Sequence, residues 1–184
     1  RSLEPRREWS DAARRLYPQA VARLLEAKGT ATRPALDLPD DLPAESRLGQ
    51  LVRLNEAVSM SIAVYTRPGS FLATKGRTLD WTLGDGVAEL REATGADYAL
   101  FTYVRDSYTG GGRAALRVLA LLAGAAVGQV VDIGGGQQVG VATLVDLRTG
   151  QVVWFNLMAN QTGDLRDAEG AERTAKQMLT GLPL

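Results

Sequence analysis

Between Gln138 and Leu157 the chain alternates in a way that commits it to a sheet. Val139, Val141, Thr143 and Val145 recur at every second residue; Arg148-Thr149-Gly150 breaks the pattern, and Gln151 to Leu157 resumes it with valines and aromatics. Period-two alternation places one set of side chains on one face of a strand. A short polar break containing glycine joins two such runs as an antiparallel hairpin, with Gly150 expected at positive φ. Ala96 to Tyr108, rich in Tyr, Phe, Thr and Val, predicts a further long strand.

The first half of the chain has a different period. Ala12/Ala13, Leu16/Tyr17, Ala20/Val21 and Leu24/Leu25 recur every four residues, the stripe of an amphipathic helix. Ser10 is the expected N-cap with Asp11 behind it, Pro18 is expected to kink or restart the helix, and Gly29 to stop it. Thr30 to Leu38 reads as a short edge strand weakened by Pro34, and residues 39–46 as a loop. A second helix follows, burying Leu48, Leu51, Val52, Asn55, Val58 and Ile62 and ending at Arg67-Pro68-Gly69. Residues 67–84 read as a loop with Trp81 and Leu83 turned inward. A short helix is expected from Asp85 to Ala93, closed by Gly95. The last helix runs from Ala168 to Leu179, capped by Asp167, with Ala171, Ala175, Met178 and Leu179 buried. The sum is an α+β fold: an antiparallel-rich mixed sheet packed by helices, in a single domain over 1–184 with an insertion at about 109–136.

Composition narrows the chemistry. Lys plus Arg equals Asp plus Glu at 21 each, a zero formal charge that argues against general nucleic-acid binding. With no Cys there is no disulfide, thiolate nucleophile or zinc-thiolate site. With no His, the usual general base and the commonest transition-metal ligand are missing too. No cofactor and no tightly bound transition metal are expected, since only oxygen donors remain.

The insertion is the most distinctive segment. Gly110-Gly111-Gly112 and Gly134-Gly135-Gly136 flank it, and Val118 to Gly128 is eleven residues without a polar side chain. That is about half the length a bilayer-spanning helix needs. A helix near 112–127 therefore either covers one face of the sheet as core or stands on the surface to meet lipid or another subunit. Under the second reading Arg113 and Arg117 face headgroups or an anion, and Leu119 and Leu122 make the apolar contact. Gly124 and Gly128 then form the small-xxx-small pair that lets helices approach closely.

The other motifs speak for architecture. The glycine triplets match no phosphate loop: Gly112 leads to Arg113 without a Walker Lys-Ser/Thr, and the second triplet precedes a strand where a dinucleotide fingerprint would follow one. Asp106, Asp132, Asp146, Asp164 and Asp167 lie at or near strand ends, where two acids could in principle serve glycoside chemistry. Asp146 and Asp167, however, sit where a turn and a helix cap want a carboxylate. Trp154 and Phe155 point to opposite faces of their strand, so that each face must be covered or else expose an aromatic.

Gly95-Ala96-Asp97-Tyr98-Ala99-Leu100-Phe101 resembles the phrase by which curli-secretion-type and TolB N-terminal-like envelope proteins enter a central strand. Val145-Asp146-Leu147-Arg148-Thr149-Gly150 with Val152-Val153-Trp154 is similar to their hairpin, and Asp106-Ser107-Tyr108 to Arg113 resembles a group of bacterial lipoproteins on that plan. The resemblance covers about residues 85–180. It implies a domain on the periplasmic side of the cell envelope, lipid-anchored at the outer membrane, that assembles or regulates envelope machinery. Pore-forming members carry long amphipathic membrane hairpins; this chain has one short apolar run instead. The expectation is a non-enzymatic envelope binding or assembly protein with a protein partner, self-association or membrane-surface contact. The alternative is a His-free carboxylate hydrolase acting on envelope glycans or esters. The first helix carries a full apolar stripe with no strand before it, which leads to the further expectation of a strand upstream of Arg1.

Overall fold

A computed structural model describes residues 7–36, 42–43, 45–66, 69–107, 137–160 and 164–183. Its elements in chain order are α1 (Arg7–Ala27), α2 (Arg47–Tyr65), α3 (Val87–Thr94), β1 (Tyr98–Ser107), β2 (Gln137–Asp146), β3 (Val152–Asn160) and α4 (Ala168–Met178). The strands form one antiparallel sheet in the order β1-β2-β3. Helices pack against both of its faces, so the chain has an α+β architecture.

The alternating pattern decides which side chain goes to which layer. On one face Leu100, Val104, Ala142, Leu144, Trp154 and Met158 meet Met178 and Leu179 at the end of α4, and Val21, Leu24 and Leu25 of α1. On the other, Phe101, Val145 and Phe155 meet Leu51, Val58 and Ile62 of α2, and Val87 and Leu90 of α3. Trp154 and Phe155 thus enter opposite cores, and neither is left as a free aromatic. Trp81 and Leu83 do turn inward, on the α2 side.

α1 and α4 lie against one another through Tyr17, Ala20, Ala171 and Ala175. Three of these four are alanines, which lets the backbones approach closely. Gly170 makes a similar allowance: a Cβ there would overlap the carbonyl oxygen of Asp164. Asp167 caps α4 as expected, accepting from the Gly170 amide at 2.7 Å. Ser46 caps α2, accepting from the Gly49 amide at 3.0 Å.

Several expectations need correction. α1 starts at Arg7, so Ser10 lies within it and caps nothing. Pro18 neither breaks nor restarts it. A proline costs a helix one hydrogen bond and some crowding, and here buried Tyr17 and Ala20 on either side anchor the turn to α4. Residues 30–36 form no strand; they carry little burial to stabilise one, and Leu36 is 54% exposed. The buried face of α2 falls on Gly49, Leu51, Asn55, Ser59, Ile62 and Ala63, displaced from Val52. The loop before α3 also contributes to the sheet, where Thr82 bridges Gln151. The apolar run of the insertion lies outside the described residues.

The hairpin turn matches its sequence. Gly150 has φ +73°, and its amide donates to the Asp146 carbonyl at 2.8 Å. A register shift between Leu144 and Val145 leaves Val153 as an extra residue on β3, the arrangement of a β-bulge.

Candidate functional site

The carboxylates come first, because they carry any hydrolytic reading. Asp146 Oδ1 accepts from the Arg148 amide at 2.8 Å and from Arg148 Nε at 3.3 Å, and Oδ2 accepts from Nη2 at 3.2 Å. Asp164 repeats the arrangement: Oδ1 accepts from the Arg166 amide at 2.9 Å and from Nε at 2.7 Å, and Oδ2 pairs with Nη2. In both, the intervening leucine, Leu147 or Leu165, is buried. Asp-Leu-Arg is therefore a local folding device used twice. The carboxylate closes the turn and holds the arginine, and the leucine plugs the core. The Arg148 guanidinium and amide hold the Asp146 carboxyl below the usual carboxylate range, and Arg166 does the same for Asp164. Groups held ionised by a fork of donors suit anchoring better than proton transfer. The Arg166 guanidinium also stacks 4.8 Å from the Trp9 ring centroid, tying α1 to the entry of α4.

Asp167 is occupied as a cap, Asp132 lies outside the described residues, and Asp106 sits opposite Gln138 in the sheet. Among the described side chains, Asp146, Asp164 and Asp167 are each held in a local turn or cap and are not drawn together around one cleft. Among the described residues no group of three or more His, Cys, Asp or Glu side chains is placed to hold a metal ion. A shallow cavity of about 320 Å³ lies at the edge of β3, lined by Asn156, Leu157, Met158, Ala159, Gln177 and Thr180, none of them an acid or a base. Asn156 there donates to the Gln177 and Met178 carbonyls at 3.0 and 2.9 Å, closing the end of α4.

A surface is the better candidate. Among the described residues, helices cover the α2-facing side of the sheet over only part of its length. α2 is fastened by Ser59, whose hydroxyl lies 2.7 Å from that of Thr143 in a buried pair. Beyond Thr143, towards Gln137, the same face carries Val141 and Val139, with Tyr103 and Leu157 opposite Val141. None of these four joins a core cluster, and Tyr103 is 58% exposed. The sheet also ends there: Ser107 pairs with Gln137, so the segment 108–136 leaves and returns beside the open half. Gln138, fully buried next to that point, accepts from Thr174 at 2.9 Å through its carbonyl oxygen, while its Nε2 has no partner.

The candidate contact residues Arg113, Arg117, Leu119, Leu122, Gly124 and Gly128 lie outside the described residues. Sequence reasoning singled them out but missed Tyr103, Val141 and Leu157, which read as ordinary strand positions. Among the described residues no helix is long and apolar enough to cross a membrane. Compared with family models, with curated proteins and with solved structures, the chain finds no match.

Proposed function

We propose that the chain is a non-catalytic binding or assembly domain of a bacterial cell envelope, facing the periplasm. One observation carries the assembly part: the half-covered sheet face of Tyr103, Val139, Val141 and Leu157, beside the two strand ends from which 108–136 departs. Tyr103 is exposed and Val139, Val141 and Leu157 beside it are half-buried, and an apolar group of that kind on a rigid sheet favours a protein or lipid contact. The apolar run Val118 to Gly128 lies in sequence between those two strand ends, and on this reading it takes part in the same contact. Arg113 and Arg117 then supply charge for a lipid headgroup or an acidic partner. The occupied carboxylates support the same reading, because each has an architectural task. The envelope location rests on the resemblance of residues 85–180 to envelope proteins.

The test is the double substitution Leu119→Glu and Leu122→Glu. On this reading the protein keeps its thermal transition and loses lipid binding or association. If the pair unfolds the chain, Leu119 and Leu122 belong to a core, where burying unpaired charge is costly, and the contact reading fails.

A further inference from the structure

The outer edge of β1 is the longest stretch of unpaired strand edge among the described residues. β1 spans ten residues and stands first in the strand order. Part of the opposite edge, on β3, is already taken up by Thr82 at Gln151. The direction of the β1 backbone groups follows from the ladder. The Leu147 amide donates to the Asp97 carbonyl at 2.9 Å, so alternate residues 97, 99, 101, 103 and 105 turn their backbone groups towards β2. The groups of Leu100, Thr102 and Val104 then point outward, and none of them pairs with a described backbone group.

We propose that this edge pairs antiparallel with the same edge of a second copy, about a twofold axis at Phe101. The inference rests on the assembly reading above and names a partner for it. Charge fixes the register. Asp97, the bend residue that leads into β1, and Arg105 within it stand four residues either side of Phe101, and the Asp97 carbonyl still accepts from Leu147 as the first rung of the ladder. Asp97 is 64% exposed at its side chain, with Arg91 at 3.4 Å, and Arg105 is exposed. A twofold at Phe101 sets Asp97 opposite Arg105 of the second copy, twice. It also sets Ala99 opposite Tyr103, so the exposed tyrosine lies over a small residue, and Phe101 opposite itself. A twofold at Thr102 would set Arg105 opposite Ala99 and Asp97 opposite Ser107, leaving both charges without a partner across the interface. Leu100 and Thr102 face each other as a hydrogen-bonded pair in the favoured register, so the outward backbone groups are satisfied. Two three-stranded sheets become one of six strands, an isologous interface that blunts two exposed edges at once.

Light scattering on the full chain over a wide concentration range tests this. The wild type is expected to reach twice the monomer mass. Arg105→Glu, which places two like-charge pairs across the axis, is expected to raise the dimer dissociation constant roughly tenfold or more. Adding Asp97→Lys to it restores opposite charges and is expected to return the constant to within about threefold of wild type. Thr102→Pro removes one outward amide, a change edge strands tolerate, and is expected to give folded monomer. If it does not fold, the charge pair alone decides. A wild type that stays monomeric at every concentration overturns the edge pairing. So does an Arg105→Glu variant as dimeric as wild type, or a double variant no better than the single. None of these results depends on Leu119 and Leu122, so failure here is separable from failure of the assembly reading.

Discussion

Tyr17 is a buried phenol whose hydroxyl has no partner of normal hydrogen-bond geometry. Burial pushes it up to about 12, with the neighbouring Thr102 side chain working the other way. The unfolded phenol titrates near 10. Between those values the folded chain holds a proton that the unfolded chain releases, so stability declines as pH rises from 10 towards 12. Tyr17→Phe is expected to flatten that alkaline limb and to change stability at pH 7 by less than about 1 kcal/mol, since no hydrogen bond is lost. Denaturation midpoints at pH 7 and pH 11 check both. Asp164 works at the other end of the scale. Arg166 lowers its folded value, so its contribution is present above the unfolded value near 4 and is lost as pH falls through the folded one. Asp164→Asn is expected to lower stability at neutral pH and to make the decline below pH 4 shallower, seen in acid titrations of the two proteins. Both leucines of the Asp-Leu-Arg turns are buried while their arginines are partly exposed. Asp146 was legible as a turn residue from its sequence alone; that Asp164 repeats it needed the coordinates.

Elements whose determinants lie within a few residues were read correctly. The hairpin is one. Its alternation, Asp146 and Gly150 are contiguous, and the turn forms as they dictate. Gly150→Val would set a β-branched residue at φ +73° and drive its Cβ into the Gly84 carbonyl. The expected cost is about 2–3 kcal/mol, read as a lower denaturation midpoint; an unchanged midpoint would contradict the turn. α4 was equally legible, because Asp167 and the Ala171/Ala175/Met178 stripe are local signals. Where tertiary contacts decide, the sequence misled. Ser10 has the chemistry of a cap, yet α1 extends one turn beyond it. Pro18 has the chemistry of a break, but it lies in a turn packed on α4. The Thr82 bridge to Gln151 spans a separation no local pattern reports. The half of the sheet face around Tyr103 and Val141 was hidden for the same reason: which strand positions α2 covers is decided by tertiary contacts such as the buried Ser59–Thr143 pair, 84 residues apart in sequence.

At the scale of the whole molecule, the described helices α1 and α4 pack on one face of the sheet, and α2 and α3 cover only part of the other. On the proposed reading this asymmetry is the function: one face builds the body and the other meets a partner in the envelope. Because the chain has no cysteine, a single introduced thiol reports on one place only. The decisive measurement is the rate at which a maleimide that crosses the outer but not the inner membrane labels two such variants of the full-length protein. Tyr103→Cys samples the open face, and Arg173→Cys samples the exposed side of α4. Both are expected to label rapidly once the protein is purified and dilute. In intact cells Arg173→Cys is expected to label at a similar rate and Tyr103→Cys about tenfold more slowly, shielded by its partner. An Arg173→Cys variant that stays unlabelled in intact cells would contradict the envelope location, and a Tyr103→Cys variant labelled there as fast as Arg173→Cys would contradict the contact surface.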